Sequence, residues 1–167
     1  FTVNMIANNW SLPKGQRRHV LYLSPEESHD ASLKPLKKKR FEALYEGIEV
    51  SETAFDEWSE TNGGTPGVWY KQTIKPRIDA LPRGSICCMD DFEDSVVWKN
   101  KDGSGLQKTL ESLLRVGRHK GIGSCLLLHR IASGWMGRQI SNSVKMRVMF
   151  PRSSSHKINN WLKDKLG

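Results

Sequence analysis

The amino-acid sequence predicts an α/β domain with a mostly parallel sheet flanked by helices. Three short apolar runs, His19–Ser24, Ser85–Met89 and Ser124–Leu128, have the length and side-chain character of buried strands. Segments with helical spacing of apolar residues alternate with these runs, and such alternation is typical of parallel strands joined by crossover helices. At 167 residues the chain has the size of a single domain.

The first half of the chain contains two expected helices. Residues 32–46 carry apolar side chains in an approximate helical pattern that ends at Gly47. Ser51 then precedes a short amphipathic segment, TAFDEW, which predicts the second helix. Three glycines and a proline over Thr61–Gly67 indicate a loop.

The second half continues the alternation. Residues 68–80 predict a helix that is interrupted near Pro76, and leucines at helical spacing predict another over 105–117. After the strand near residue 128, residues 145–150 predict a further strand, and a last helix is expected to run to Leu166.

The composition excludes several classes of protein. No apolar run approaches the ~20 residues that cross a bilayer, and no charged segment followed by an apolar one marks a signal peptide. The three cysteines, Cys87, Cys88 and Cys125, are an odd number within apolar runs, so neither a disulfide framework nor a metal site is expected from them. We therefore expect a protein of a reducing, intracellular compartment with no membrane span.

The positive charge is concentrated near the end of the chain. The formal net charge is +8, yet residues 1–114 carry 15 Lys and Arg against 17 Asp and Glu. Residues 115–167 carry 11 Lys and Arg against one acidic residue, Asp164. Clustered cations of this kind indicate a polyanion partner such as a phosphate backbone, with a solvated basic surface as the alternative.

A pair of carboxylates follows one of the apolar strands. Ligands of an open α/β sheet bind at the carboxyl ends of its strands, so polar residues at those positions are candidates for chemistry. ICCMDD, within a strand over about 85–91, has the form of a Walker B element. Asp90 is the candidate Mg²⁺ ligand, and Asp91 is the candidate carboxylate that orients or deprotonates a water. The alternative is a strand that ends in a solvated turn.

Two further segments bear on nucleotide chemistry. His129 ends an apolar strand over about 124–129. A polar side chain at this position can contact a γ-phosphate or the attacking water. The alternative is a histidine with a structural, hydrogen-bonded role. The chain contains no G-x-x-x-x-G-K-[ST] sequence. Residues 103–109 end in Lys-Thr, but Gln107 stands where glycine is required, so we interpret this segment as a loop and helix start.

The remaining basic and aromatic clusters are interpreted as structural. Lys37–Arg40 is expected to be the solvated face of a helix rather than a DNA clamp. The six tryptophans are scattered singly, and we interpret them as core or interface anchors rather than as base-stacking side chains.

Four segments in order resemble one family of motors. They are HVLYLSPEESHDASLKPLKKKRFEALYEGIEVSE, SICCMDDFED, LLRVGRHKGIGSCLLLHRIASG and SNSVKMRVMFPRSSSHKINNWLKDKLG. Together they resemble the DNA-packaging ATPases of nucleocytoplasmic large DNA viruses and related viruses, which belong to the FtsK/HerA branch of RecA-like P-loop motors. The resemblance covers nearly the whole chain and implies a RecA-like core, present here over 1–167 without its first strand and P-loop. Residues 1–9 resemble the helix that follows the P-loop, so we expect a P-loop upstream.

The resemblance also implies roles for particular residues. Asp90 matches the Walker B aspartate, and Asp91 matches the neighbouring catalytic carboxylate, where many relatives carry Glu. His129 matches the polar sensor at the end of the fourth strand. Arg118, in GRHKG, matches a Gly-Arg pair of FtsK-type motors and is expected to face the nucleotide of a neighbouring subunit, with Arg115 as the second candidate.

The function implied is ATP-driven, sequence-independent translocation of double-stranded DNA during packaging of a viral genome. ATP and Mg²⁺ would be the cofactors, and the partners would be duplex DNA, further copies in a homo-oligomeric ring and capsid proteins. The expected location is the host cytoplasm or viral assembly site, or the virion itself. The alternative is a non-catalytic nucleic-acid-binding or scaffold protein that keeps the fold without a P-loop.

Overall fold

The computed structural model describes residues 2–91, 95, 97 and 105–127. These residues belong to a compact unit that ends at Leu127. In chain order its helices and strands are α1 (Thr2–Trp10), β1 (Val20–Ser24), β2 (Tyr45–Glu49), α2 (Glu52–Asn62), α3 (Pro66–Trp69), a π-helical turn (Tyr70–Ile74), α4 (Lys75–Asp79), β3 (Ile86–Asp90), α5 (Leu106–Lys120) and β4 (Gly123–Leu127).

The described strands form one parallel sheet in the order β2-β1-β3-β4. Tyr22 of β1 lies opposite Gly47 of β2 and Cys88 of β3, and Cys88 lies opposite Cys125 of β4. Parallel neighbours need long crossover connections, which the helices between β2 and β4 provide. The expected α/β class with a parallel sheet flanked by helices is therefore confirmed for the described residues.

The central strands are buried on both faces. Successive side chains of a strand point to opposite sides of the sheet, so Tyr22 and Cys88 lie on one face and Leu21 and Cys87 on the other. All four are at most 2% exposed. Side chains of α1 and of the segment before β2 join the first face in one apolar cluster: Ile6, Trp10, Val20, Tyr22, Leu33, Leu36 and Cys88.

Most elements predicted within the described residues are present, whereas the strand expected over 145–150 and the helix expected to run to Leu166 lie outside them. The loop expected over Thr61–Gly67 is shorter than predicted, because α2 runs to Asn62 and α3 begins at Pro66. The strands at 19–24, 85–89 and 124–128 are found as β1, β3 and β4, each within one residue of its expected bounds. The helix expected over 105–117 extends to Lys120 as α5 and ends at Gly121, whose φ is +69°. The interruption expected near Pro76 corresponds to the π-helical turn, which ends at Ile74, two residues before the proline. Proline has no N–H to donate to a helical hydrogen bond.

The helix expected over 32–46 is wrong. The structure has two short 3₁₀ turns there, Ala31–Leu33 and Lys39–Phe41, and then enters β2 at Tyr45. Leu33 and Leu36 are three residues apart and both fully buried. A 3₁₀ arrangement has three residues per turn, so it also places two such side chains on the same side. Gly47, expected to end a helix, lies in the middle of β2.

Gly47 leaves room for a buried carboxylate. A Cβ atom at this position would lie 1.9 Å from Oε1 of Glu27, which is 8% exposed. The Glu27 side chain accepts a hydrogen bond of 2.8 Å from the Tyr45 hydroxyl and pairs with the Lys37 ammonium at 3.0 Å. Lys37 also donates to the backbone oxygen of Glu27 at 2.7 Å. This network fastens the segment after β1 to strand β2.

We expect Gly47→Ala to lower the free energy of unfolding by about 1–3 kcal/mol, because the new methyl group would push Glu27 away from its hydrogen-bond partners. Urea unfolding monitored by circular dichroism measures this difference. Gly15→Ala is the matched control, since nothing lies within 4 Å of a Cβ atom at Gly15. Equal changes in the free energy of unfolding for the two substitutions would show that Glu27 can move aside without loss of stability.

Candidate functional site at the carboxyl edge of the sheet

The carboxyl ends of the parallel strands bring several polar residues to one edge of the sheet. β1 ends at Ser24, β2 at Glu49 and β3 at Asp90, and Asp91 follows directly. Because ligands of parallel α/β sheets bind at this edge, Asp90 and Asp91 occupy the expected position for a candidate site. Ser24 and Glu49 were not among the residues singled out from the sequence.

Asp90 is held by a buried tyrosine on the neighbouring strand. The hydroxyl of Tyr22 donates a hydrogen bond to Oδ2 of Asp90. Tyr22 is 2% exposed, and its burial raises the pKa of the phenol well above the usual value, an effect that the hydrogen bond and charge of Asp90 reinforce. Tyr22 therefore keeps its proton and remains a donor, so it fixes the orientation of the Asp90 carboxylate.

Asp91 has an unusual backbone conformation. Its φ is +49°, and it is the one non-glycine residue with a positive φ in the described part of the chain. Its amide donates to the carbonyl oxygen of Leu127 at 3.3 Å, which extends the pairing of β3 with β4 past the end of the strand. Aspartate tolerates the left-handed region better than most residues do. The turn therefore fixes Asp91 immediately beside the end of β3.

Glu49 belongs to a network that starts α2. It accepts hydrogen bonds from the hydroxyls of Ser28 and Ser51, and Ser51 in turn caps α2 by accepting from the Ala54 amide at 3.0 Å. Partial burial opposes ionisation, but the two hydroxyls prevail and lower the pKa of Glu49 below its usual value. Glu49 is thus an ionised residue with a structural role at the same edge.

The acidic pair matches one mode of magnesium binding. Across the described residues, no group of three or more His, Cys, Asp or Glu side chains is arranged to hold a metal ion. Magnesium in phosphoryl-transfer sites is commonly bound by one or two carboxylates, with waters and substrate phosphates completing the shell. Asp90, whose carboxylate Tyr22 orients, is the residue that could bind magnesium in that mode, and Asp91 follows it directly.

The other site residues predicted from the sequence lie outside the described residues or at the opposite edge of the sheet. His129 lies outside the described residues, two positions beyond the end of β4. Arg118 was expected on a turn after a helix ending at 117, and that placement is wrong: it lies in the last turn of α5, which continues to Lys120. Because α5 ends just before β4 begins, Arg118 and Arg115 are near the amino edge of the sheet, opposite Asp90.

The Lys-Thr pair rejected as a phosphate cradle has a packing role. Lys108 and Thr109 lie in the first turn of α5, and the Thr109 hydroxyl forms a hydrogen bond with the hydroxyl of Tyr70. Burial raises the pKa of Tyr70 to about 12. This contact joins α5 to the π-helical turn, in agreement with the interpretation of the segment as a helix start.

The three cysteines lie beneath this edge, and none of them is in a disulfide. Cys87 and Cys88 are buried and Cys125 is partly buried. Burial raises the pKa of Cys87 to about 12, so this thiol stays protonated at neutral pH.

Comparisons of the chain with protein-family models, with curated proteins and with solved structures give no match. No helix among the described residues is long and apolar enough to cross a membrane.

Proposed function

We propose that this chain is part of a RecA-like ATPase that drives double-stranded DNA into a viral capsid. The observation that carries the proposal is the carboxylate pair Asp90–Asp91 at the end of β3, a central strand of a parallel sheet. In support, β3 pairs directly with β4, the strand that leads toward His129. The order of the four family-like segments supplies the motor and the viral context.

Within this proposal each described residue of the site has a chemical task. Asp90 would hold Mg²⁺, which when bound neutralises charge on the β- and γ-phosphates of ATP. Tyr22 keeps the Asp90 carboxylate in one orientation through its hydrogen bond. Asp91 would orient the attacking water and accept its proton. His129 would sense the γ-phosphate, as the resemblance implies.

The proposal includes two components outside the described site. ATP hydrolysis by this mechanism requires a P-loop to bind the phosphates, and residues 1–167 contain no such sequence. A ring of identical subunits would surround the DNA, with Arg118 or Arg115 completing the site of the next subunit. The basic residues 115–167 would bind DNA phosphates without reading sequence, and capsid proteins would anchor the ring.

The proposal is tested by measuring ATP hydrolysis in protein that carries a P-loop segment before residues 1–167. We expect Mg²⁺-dependent hydrolysis that duplex DNA of any sequence stimulates. DNA binding should weaken steeply from low to physiological salt, because phosphate contacts release counterions. A protein with an intact P-loop that binds DNA but never hydrolyses ATP would contradict the motor and favour the non-catalytic binding or scaffold protein.

A further inference from the structure

A cavity of about 360 Å³ lies at the opposite edge of the sheet from Asp90. Its lining includes Trp10, Arg17, Leu36, Lys38, Arg40 and Phe41. The Trp10 indole nitrogen donates to the Arg18 carbonyl oxygen at 3.1 Å, just before β1 begins, and the 3₁₀ turn that contains Phe41 lies just before β2. Both strands start here, so the cavity is at the amino edge. We call it the basic cavity.

The basic cavity is formed by two segments that are distant in sequence and rich in cations. Residues 11–18 and 31–41 together contain eight Lys and Arg and no Asp or Glu. Arg17 comes from the first segment, and Lys38 and Arg40 come from the second. The fold therefore brings three cations from two distant segments to one recess, within the part of the chain whose overall balance is slightly acidic.

Aromatic and backbone contacts order two of the cationic side chains, those of Arg40 and Arg17. The rings of Trp10 and Phe41 stack with centroids 4.5 Å apart, and the Arg40 guanidinium carbon lies 4.5 Å from the Phe41 centroid. Nε of Arg17 donates to the Leu12 carbonyl oxygen at 2.8 Å. Such contacts restrict the guanidinium groups, so less freedom is lost when they bind an anion.

Two acidic side chains of the segment between β1 and β2 are engaged in contacts of their own. Glu27 pairs with Lys37, and Asp30 accepts hydrogen bonds from the amide and hydroxyl of Ser32 at 2.7 and 2.9 Å. The Glu27–Lys37 pair also anchors the lysine-rich segment against β2. Lys38 and Arg40 thus extend from a fixed piece of backbone.

We propose that the basic cavity binds the phosphodiester backbone of nucleic acid. A recess rimmed by Arg17, Lys38 and Arg40 suits a chain of phosphates, because guanidinium groups bind phosphate oxygens in a fork-like geometry. A membrane surface is a poorer match, since interfacial binding needs a broad exposed apolar face and Leu12 supplies only one exposed side chain here. The named lining residues all come from the first 41 positions of the chain. For its nucleic-acid partner the inference rests on the proposed function, but it does not depend on ATP hydrolysis.

The test measures binding of a fluorescent 20-base-pair duplex to residues 1–167 by anisotropy, without ATP. We expect Lys38→Glu/Arg40→Glu to weaken binding at low salt by about tenfold or more, and to reduce the slope of log affinity against log salt by about two. The matched control is Lys71→Glu/Lys108→Glu, which makes the same charge change at two exposed lysines outside the cavity. Circular dichroism and thermal unfolding check that both variants fold.

Further measurements distinguish a nucleic-acid backbone from a free phosphate compound or a lipid headgroup as the bound group. Binding of single strands that is lost in parallel with duplex binding supports a backbone site, as does competition by pyrophosphate only at millimolar concentration. Arg40→Gln serves as a milder variant, with an expected intermediate loss. Equal losses in the cavity and control variants would overturn the proposal. So would a loss of binding to anionic vesicles with duplex binding unchanged.

Discussion

In protein that carries a P-loop segment before residues 1–167, Asp91→Asn is expected to lower ATP turnover by about 10²-fold or more, with Mg-ATP binding nearly unchanged. The substitution removes the carboxylate proposed to accept a proton from the attacking water. The φ of +49° makes asparagine the appropriate replacement, because Asn and Asp both tolerate the left-handed region. Asp91→Ala would add backbone strain of about 1–2 kcal/mol, so a loss of turnover could not be assigned to the missing carboxylate alone.

Two further variants define the outcome of that experiment. Asp90→Asn is expected to weaken Mg²⁺-dependent nucleotide binding as well as turnover, because Asp90 is the proposed metal ligand. Asp56→Asn, at an exposed position of α2, is the control and should leave both quantities unchanged. Steady-state hydrolysis and equilibrium binding of a fluorescent ATP analogue separate the two effects. Equal turnover of Asp91→Asn and the unsubstituted protein would remove Asp91 from the catalytic site.

The strands could be predicted because burial on both faces leaves a simple signature. Leu21 and Leu23 face one side of the sheet and Val20 and Tyr22 the other, and all four are nearly inaccessible, so β1 is a continuous apolar run. Strand β2 has no such run. Its five residues, YEGIE, are all only partly buried, and its glycine resembles a helix end when the position of Glu27 is unknown.

The acidic pair could be found from the sequence, but its surroundings could not. Asp90 and Asp91 follow an apolar strand directly, which is a local signal. Tyr22 reaches Asp90 only because β1 and β3 are adjacent, and strand order is not encoded in any local pattern. Glu49 was missed because no strand was predicted over residues 45–49, and the expected helix overlapped the first two of them.

The basic cavity was missed for a related reason. Lys37–Arg40 was interpreted as a solvated face of a regular helix, in which its four cations would point in different directions. The 3₁₀ turns and the Glu27–Lys37 pair instead place Lys38 and Arg40 beside Arg17, more than twenty positions earlier in the chain. Charge counted along the sequence emphasised residues 115–167, whereas within the described residues the fold brings Arg17, Lys38 and Arg40 together at the amino edge of the sheet.

Arg118→Ala is expected to lower ATP turnover by about 10³-fold or more if Arg118 completes the nucleotide site of the neighbouring subunit. Phosphoryl transfer builds negative charge on the γ-phosphate oxygens, and an arginine supplied from the next subunit stabilises it. The position of Arg118 in the last turn of α5, at the edge opposite Asp90, makes it unsuited to the site of its own chain. The competing role is complementing the dipole at the end of α5, which is worth about 0.3–1 kcal/mol.

Subunit mixing separates these two roles of Arg118. Arg118→Ala and Asp91→Asn proteins should each be inactive alone, yet mixed rings should recover part of the ATPase activity, because some interfaces then join an intact Asp91 to an intact Arg118. Arg115→Ala, at an exposed position of the same helix, is the parallel variant and identifies which arginine acts across the interface. A purely structural Arg118 would change thermal stability slightly and turnover little. Absence of recovery in rings shown to be mixed would exclude Arg118, and recovery with Arg115→Ala would transfer the role to that residue.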